Sequence, residues 1–362
     1  MHMPTSSSLL LGLLLGTFPA LKAEIRYSVT DLGTLGGRTY GVSLNDAGQA
    51  TGSSTTLTGA FHAFLYTDGQ MQDLGTLGGD YSQGLHINNA GQITGSAQIS
   101  TGVYHAFLYT GCHMKDLGTL GGSYSSGSGI NNVGQVVGSA STATGDSHAF
   151  LYRQGHMRDL NDQVDPAVGL TLQSAFGIND QRQITGWAEP SAAGLHTQHA
   201  FLYTEGQVQD LGTLGGNVSY GYSINNAGQV VGQSQTGTGD LHAFLYSDGQ
   251  MRDLGTLGGA YSYSGALNEA GQVVGSAALL VLGNPLHAFL YTEGQMYDLN
   301  DLIDPALQIT LQVGVTINNQ GQILANGVGP RGNRAYLLTP CRCRERGTCS
   351  GHTDGGPSSG GL

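Results

Sequence analysis

The sequence predicts an all-β protein, a seven-bladed β-propeller of four-stranded antiparallel blades that the N-terminal strand closes. Three observations predict it: one sequence unit recurs seven times, each unit carries two tight-turn signals, and the chain ends in the middle of a unit. Glycine supplies 60 of 362 residues and charged residues supply only 10%, against roughly 25% charged residues in an average soluble domain. This composition is typical of a chain with many tight turns.

Three short motifs recur in a constant order, which is the sequence signature of a repeat architecture. The first, Asp-Leu-Gly-Thr-Leu-Gly-Gly or a related Asp-Leu-Asn-Asp form, begins at Asp31, Asp73, Asp116, Asp159, Asp210, Asp253 and Asp298. The second, close to Ile-Asn-Asn-Ala-Gly-Gln-Val-Val-Gly, has its first asparagine at Asn45, Asn88, Asn131, Asn179, Asn225, Asn268 and Asn318. The third, His-Ala-Phe-Leu-Tyr, begins at His62, His105, His148, His199, His242 and His287, with a degenerate copy at Arg334.

The turn chemistry inside one unit predicts four short strands. In the unit that ends at Asp253 the strands are predicted at 220–225, 229–233, 242–246 and 251–257. Gly228 closes the first hairpin because glycine adopts the left-handed conformation at little cost. Asp248-Gly249 closes the last hairpin, since a type I′ turn needs positive φ at both residues. A solenoid would require parallel pairing, whereas two tight turns per unit require an antiparallel meander.

The two ends of the repeat region predict a closed ring. The segment 25–35 is a lone fourth-strand motif, and the last unit stops after its third strand, Ala335 to Leu338. Pairing of these ends would remove the open edges that invite aggregation. The third strand is apolar on both faces, which a sheet with one solvated face would not be. Blades stacked around an axis bury both faces.

The organisation predicted outside the repeats is an export signal and a tail. Leu9 to Phe18 is an apolar run, and Leu21-Lys22-Ala23 precedes a cleavage site, so residues 1–23 are predicted to be a signal peptide. The run is too short to span a bilayer, which needs about 20 apolar residues. The predicted location is extracellular, at the cell surface or periplasmic, with no transmembrane segment in the mature chain. Residues 24–340 form the propeller, and residues 341–362 a disordered tail rich in Gly, Ser, Cys and Arg.

The three motifs together resemble the bacterial extracellular HAF-repeat family. The resemblance covers about Tyr27 to Pro340. It implies an exported bacterial repeat protein and brings no activity or site residue with it. The departures are the two Asp-Leu-Asn-Asp units, Arg334 in place of histidine, and the tail.

The candidate chemistry predicts a binding module and no enzyme. The net charge of −12 with only 13 Lys and Arg argues against nucleic acid, because phosphate binding needs a basic stripe. No nucleophile with a base and no phosphate-binding loop is evident, and six equivalent histidines on a ring cannot converge on one ion. Each histidine is instead expected to hydrogen-bond within its blade, for instance to the aspartate that opens a neighbouring motif. Two alternatives stay open: an extracellular enzyme with a site assembled in the central channel, or a passive structural protein of the cell surface.

Two further groups of residues are candidates for binding metal. Asp162, Asp165, Asp301 and Asp304 lie in the two Asp-Leu-Asn-Asp units and offer hard oxygen donors for Ca²⁺. They lack the fixed glycine and terminal glutamate of an EF-hand, and they suit ordinary turns before proline equally. The four cysteines, Cys112, Cys341, Cys343 and Cys349, lack the paired spacing of a structural zinc site. No cofactor is predicted beyond this possible calcium.

The predicted ligand-binding surface is rich in tyrosine. The connections between units carry tyrosines among Ser and Gly, and the candidate binding residues are Tyr81, Tyr124, Tyr220, Tyr222, Tyr261 and Tyr263. Tyrosine offers a large contact area at small entropic cost, so the expected ligand is a protein or a glycan. The alternative is that these rings pack between blades. Arg182 stands where other units have the turn glycine, and it is expected to strain that turn by roughly 1 kcal/mol.

Overall fold

The computed structural model describes residues 26–191, 197–283 and 285–341. These parts contain 28 β-strands and four short 3₁₀ helices, so the predicted all-β class is confirmed. The predicted signal peptide and residues 342–362 of the predicted tail lie outside the described residues. None of the described helices is long and apolar enough to cross a membrane.

The strands fall into four positions within repeated antiparallel meanders. First strands are β2 (Gly36–Leu44), β6 (Gly78–Ile87), β10 (Gly121–Ile130), β14 (Leu170–Ile178), β18 (Gly215–Ile224), β22 (Gly258–Leu267) and β26 (Thr310–Ile317). Second strands are β3 (Ala50–Thr56), β7 (Ile93–Ile99), β11 (Val136–Thr142), β15 (Ile184–Pro190), β19 (Val230–Thr236), β23 (Val273–Leu279) and β27 (Ile323–Gly329). The second strands carry the Val-Val-Gly part of the second motif or its variants.

The remaining strands complete the meanders. Third strands are β4 (Phe61–Thr67), β8 (Tyr104–Thr110), β12 (Ser147–Arg153), β16 (His199–Thr204), β20 (Leu241–Ser247), β24 (Leu286–Thr292) and β28 (Gly332–Cys341). Fourth strands are β5 (Gln70–Asp73), β9 (His113–Asp116), β13 (His156–Asp159), β17 (Gln207–Asp210), β21 (Gln250–Asp253), β25 (Gln295–Asp298) and β1 (Arg26–Asp31). The strand β1 is the first of the described chain, yet it occupies a fourth position.

Five sheets have four strands, and one sheet has eight. The eight-stranded sheet consists of two meanders, β2–β5 and β6–β9, which one parallel bridge between Phe61 and Tyr81 connects. In the sheet of the chain ends, β1 pairs antiparallel with β28, from Arg26 opposite Cys341 to Asp31 opposite Tyr336. The two ends of the repeat region therefore lie in one sheet.

Both predicted turn signals are confirmed. Gly228 has φ +75°, and Asp248 and Gly249 have φ +53° and +78°. Arg182 has φ +65° at the position that glycine occupies in the other units. An N–H at this position donates to the carbonyl of the asparagine three residues earlier, at 3.1 Å in both Arg182 and Gly228.

All four strands of the unit that ends at Asp253 differ from their predicted bounds, and the two largest differences are at the start of the first strand and the end of the fourth. The first strand of the unit begins at Gly215 instead of Tyr220, because Gly215 already pairs with Thr236 across the ladder. The fourth strand ends at Asp253 instead of Leu257, because the Asp253 carboxylate accepts the Gly255 N–H at 2.7 Å and turns the chain. The two Asp-Leu-Asn-Asp units form 3₁₀ helices at Asn161–Gln163, Pro166–Val168, Leu299–Leu302 and Pro305–Leu307.

The apolar core lies between neighbouring meanders. The phenylalanine of each His-Ala-Phe motif is fully buried: Phe64, Phe107, Phe150, Phe201, Phe244 and Phe289. In one cluster Ala106 of β8 packs with Ile130 of β10 and Phe150 of β12, so residues from consecutive meanders share one core. The packing explains why the third strand is apolar on both faces.

Candidate functional site

The first strands surround a common axis. Each first strand contacts the next along the chain, from β2 through β22, and β26 contacts both β22 and β2. Side chains that point away from the meanders therefore meet near this axis. The chemical character of these side chains determines which ligand the central space accepts.

A series of asparagines connects consecutive meanders at one end of the axis. The side-chain Nδ2 of each second-motif asparagine donates to the backbone carbonyl of the corresponding asparagine in the next meander, at 2.9–3.2 Å. The donors in order are Asn45, Asn88, Asn131, Asn179, Asn225, Asn268 and Asn318. Asn318 donates to Asn45, so this series of hydrogen bonds returns to its start.

A second series lies one residue further along each turn. The backbone N–H at this position donates to a side-chain oxygen of the corresponding residue in the next meander, at 2.9–3.1 Å. The members are Asp46, Asn89, Asn132, Asp180, Asn226, Glu269 and Asn319, and Asn319 donates to Asp46. Their polar side chains line the mouth of the axis at this end.

A cavity of about 490 Å³ lies along the axis and is lined mostly by residues of the first strands. In every unit, the residue three positions before the second-motif asparagine lines this cavity. These residues are Val42, Leu85, Ser128, Phe176, Tyr222, Gly265 and Val315. The asparagine position is thus invariant within the chain, whereas this inward position differs in nearly every unit. Residues that vary among otherwise equal repeats are the natural place for a specific function.

Aromatic side chains occupy one side of the cavity. The rings of Phe176 and Tyr222 lie 5.6 Å apart, and Tyr222 stacks on Tyr220 with centroids 6.4 Å apart. Tyr263 lines the cavity as well and lies 5.7 Å from the ring of Tyr261. Burial raises the pKa of the Tyr222 hydroxyl well above its usual value, so this group stays protonated. These aromatic residues come from consecutive first strands, β14, β18 and β22.

His86 is the one histidine among the described residues that line the cavity. The corresponding positions hold Ser43, Gly129, Gly177, Ser223, Ala266 and Thr316. The His86 Nδ1 lies 3.2 Å from the backbone N and 3.1 Å from the backbone O of Ile130. Burial lowers the pKa of His86 below its usual value, although the backbone contact opposes this effect. The imidazole is therefore neutral at pH 7.

The predicted tyrosines do not lie in the connections between units but on first strands, because these strands begin earlier than expected. Tyr222 and Tyr263 line the cavity. Tyr81 packs against Phe61 and Tyr104, at 6.4 and 5.4 Å between centroids.

The other predicted tyrosines lie outside the cavity lining. Tyr220 contacts Trp187 of the preceding meander at 6.1 Å, and its hydroxyl donates to Gln198. Tyr261 neighbours Tyr263, and Tyr124 is 44% exposed. The prediction missed Phe176 and His86, which an alignment of the repeats against one another would have marked as exceptions at inward positions.

The repeated histidines make the expected contact within their meanders. Each Nδ1 lies 2.5–2.9 Å from a carboxylate oxygen of the aspartate that ends the fourth strand, as between His199 and Asp210. The hydrogen bond to Asp210 raises the pKa of His199. Burial alone would raise the pKa of Asp210, but hydrogen bonds from His199 and from the Gly212 N–H hold it below its usual value.

The four aspartates proposed for calcium lie around the 3₁₀ helices. Asp165 and Asp304 cap them, accepting the N–H of Ala167 and Ala306 at 2.9 Å. Within the described residues no group of three or more His, Cys, Asp or Glu side chains is placed to hold a metal ion. Calcium at Asp162, Asp165, Asp301 and Asp304 stays a prediction. Cys112 is free and exposed, and Cys341 is disulfide-bonded.

Comparison with known proteins gives similarity of structure only. No protein-family model matches the chain, and no curated protein matches its sequence. TolB from Acinetobacter baumannii is 12% identical over 77% of this chain and 76% of its own, with a TM-score of 0.43. A gluconolactonase from Xanthomonas campestris is 11% identical over 89% of this chain and 96% of its own, with a TM-score of 0.41.

A lectin from Burkholderia pseudomallei is 9% identical over 86% of this chain and 98% of its own, with a TM-score of 0.42. These similar structures are β-propellers, and at such identities the likeness concerns the fold alone. The prediction that the chain is not an enzyme is wrong as drawn, because the similar structures include a gluconolactonase. The absence of a local motif does not exclude catalysis on this fold, and the likeness assigns no reaction to the chain.

Proposed function

We propose that this chain is a closed seven-bladed propeller that binds a small ligand in its central cavity. The observation that carries the proposal is the inward position of the first strands, where Phe176 and Tyr222 replace the small or aliphatic residues of other units. Largely apolar cavities with a few convergent polar groups are the usual form of a ligand site.

The closure of the ring rests on contacts that cross the seam between the chain ends. Asn318 and Asn319 donate to Asn45 and Asp46, as their counterparts do between every other pair of neighbouring units. Pairing of β1 with β28 supplies the fourth strand of the last blade. These contacts support seven blades and a cavity enclosed on all sides of the axis.

The ligand enters, in this proposal, from the end of the axis opposite the asparagine series. At the asparagine end, Asp46 and its counterparts form a mouth of mutually hydrogen-bonded polar groups. The other end is bordered by the starts of the first strands, where Tyr124 and Tyr261 lie. Of the tyrosines predicted as binding residues, Tyr222 and Tyr263 thus belong to the cavity wall, whereas Tyr124 and Tyr261 lie at the border of this end.

A thermal-unfolding screen of the full chain with glycans, small aromatic compounds and Ca²⁺ tests the binding function. A ligand at 100 times its dissociation constant adds about 2.7 kcal/mol to the free energy of unfolding, so it raises the unfolding midpoint of the wild type. Tyr222→Val removes the aromatic wall and installs the residue that Val42 and Val315 supply at the same position.

The matched control is Tyr297→Gln, in the outer strand β25 and outside the cavity lining, at a position where other units already carry Gln72 and Gln209. We expect ligand to shift the wild type and Tyr297→Gln equally and to lose its effect on Tyr222→Val. An equal shift in all three proteins would place the ligand outside the cavity and refute this function. A shift by Ca²⁺ alone would instead identify the aspartates of the 3₁₀ segments as metal sites.

We also propose that the chain belongs to the HAF-repeat family and is exported. The recurrence of all three motifs in order supports the family, and the apolar run Leu9 to Phe18 supports export. Mass spectrometry of the protein recovered from a bacterial host tests the second point. A mature chain that begins at Glu24 is expected, whereas an uncleaved chain retained in the cytoplasm would contradict it.

A further inference from the structure

The two ring nitrogens of His86 differ in their contacts with the protein. Its Nδ1 contacts the backbone of Ile130 in the next unit. Ser43, at the same position one unit earlier, uses its hydroxyl in the same way and accepts the Ile87 N–H at 3.2 Å. Nδ1 of His86 lies within hydrogen-bond distance of both backbone groups of Ile130, so it is engaged in either tautomer and Nε2 is the nitrogen left for a ligand. No described residue hydrogen-bonds Nε2, and the side chain lines the cavity.

The lining of the cavity specifies a ligand without charge. The part of the lining that holds the aromatic wall contains no Asp, Glu, Lys or Arg side chain, and His86 is neutral. The carboxylates of Asp46, Asp180 and Glu269 lie beyond His86, at the asparagine end of the axis. A charged ligand would lose its hydration with no opposite charge to compensate, which is costly in a largely buried site. The aromatic wall of Phe176, Tyr222 and Tyr263 offers contact to an apolar face.

Hydroxyl groups distributed around the cavity favour a ligand with several polar substituents. Ser128, Ser223, Ser276 and Thr316 line the cavity on blades other than the one that carries His86. A wholly apolar ligand would displace water from these hydroxyls and leave them without partners, at a cost that binding must overcome. A ring with an apolar face and hydroxyls on its edge satisfies both features.

We propose that His86 is a ligand-binding residue of the central cavity and that the ligand is an uncharged hexopyranose. The sugar ring lies against the Phe176–Tyr222–Tyr263 wall, and one of its hydroxyl groups hydrogen-bonds to His86 Nε2. This inference rests on the proposed binding function and adds the ligand class and the residue that selects it.

Isothermal titration of the full chain with glucose, galactose, mannose and fucose tests the proposal, with glucuronic acid, glucosamine and 4-hydroxybenzyl alcohol as comparison ligands. His86→Ser installs the residue that Ser43 and Ser223 supply at the same position, so this variant keeps the packing of a natural unit. Tyr222→Val tests the wall, and Tyr297→Gln, outside the cavity lining, is the control. Unchanged unfolding midpoints of the three variants without ligand establish that each is folded.

We expect at least one neutral hexose to bind and its affinity to fall about tenfold or more in His86→Ser, the effect of losing one hydrogen bond in a buried site. The imidazole nitrogen resonances of His86 should shift on binding. Equal affinity for His86→Ser and wild type would overturn the role of His86. Binding of the charged sugars as tight as that of the neutral ones would overturn the ligand class.

The comparison ligands separate this inference from the proposed function. If only 4-hydroxybenzyl alcohol binds, and Tyr222→Val abolishes its binding, the cavity is a binding site but the sugar assignment is wrong. If ligands bind equally to wild type, His86→Ser and Tyr222→Val, both the inference and the cavity function are refuted.

Discussion

Asn88 shows at the scale of one residue why a single residue type recurs at the axis. Its Nδ2 donates to Gln92 Oε1 and to the Asn131 carbonyl, at 2.8 and 2.9 Å. Its Oδ1 accepts the N–H groups of Ala90 and Gln92, at 3.1 and 2.9 Å. Aspartate lacks the two donors, and a hydrophobic residue lacks both functions. The asparagine therefore orders its own turn and connects it to the next unit.

Arg182, in the corresponding turn of another unit, is expected to lower the free energy of unfolding. Its φ of +65° lies in the left-handed region, which disfavours a side chain with a Cβ by about 1–2 kcal/mol. The exposed ion pair between Arg182 and Glu205, at 2.9 Å, offsets little of this. We expect Arg182→Gly to raise the free energy of unfolding by about 0.5–1 kcal/mol, measured by urea denaturation. A loss of stability would contradict the assignment of this turn.

His199 predicts a pH dependence whose sign follows from its contact. The pKa of His199 is raised in the folded state, so its contribution to stability is full below the unfolded value of about 6.5 and is lost as pH rises through the folded value. The pKa of Asp210 is lowered, so its contribution is lost only as pH falls below about 4.

The pair therefore stabilises the fold most between about pH 4 and pH 6.5. We expect the difference in unfolding free energy between wild type and His199→Gln to be larger at pH 5.5 than at pH 8.5. In an Asp210→Asn background this change with pH should disappear. A difference that is equal at both pH values would show that the protonation of His199 adds nothing to stability.

At the scale of the element, a glycine in six of the seven second strands fits directly behind the first strand, and Ala325 takes its place in β27. A Cβ on Gly232 would lie 1.7 Å from the Tyr220 carbonyl oxygen and 2.8 Å from the Phe244 ring. The first strand also shifts register between Gly221 and Ser223, opposite this glycine. That bulge turns two neighbouring residues of the first strand, Tyr222 and Ser223, toward the axis and so shapes the cavity.

Gly232→Ala tests this close approach. The clash involves backbone on both sides, so relaxation requires a shift of the strand, and we expect a loss of about 3 kcal/mol in unfolding free energy. The neighbouring Gln233→Ala, with its half-buried side chain on the opposite face of the strand, should change stability by less than about 0.5 kcal/mol. Comparable effects of the two substitutions would show that the strands are spaced more widely than described.

The repeats and the tight turns were predictable because they depend on local chemistry. Gly228 and Asp248-Gly249 mark their turns through the φ values they permit, and those turns separate the strands wherever the motif recurs. The bulge opposite Gly232 leaves no comparable signal, since the same register shift occurs in the unit that has Ala325 and Tyr336 in place of Gly232 and Phe244. The direction in which Tyr222 or His86 points depends on that bulge, so the cavity had to be found in the structure.

At the scale of the whole molecule, the account depends on the closure of the ring. The last unit is completed by β1, which comes from the other end of the repeat region, while contacts of β26 with β22 and β2 complete the wall of the cavity. Burial of apolar residues on both faces of each meander makes every unit dependent on two neighbours. Loss of β1 would expose apolar side chains of β28 and leave the last meander without its fourth strand.

The most direct test of this closure is chemical denaturation of the chain without residues 1–35, followed by both fluorescence and circular dichroism. The matched control removes residues 342–362 from the other end. We predict that the control unfolds in a single transition like the full chain, and that the N-terminal truncation loses the coincidence of the two probes and its high midpoint. A truncated chain that unfolds with the midpoint and cooperativity of the full chain would contradict the closed ring.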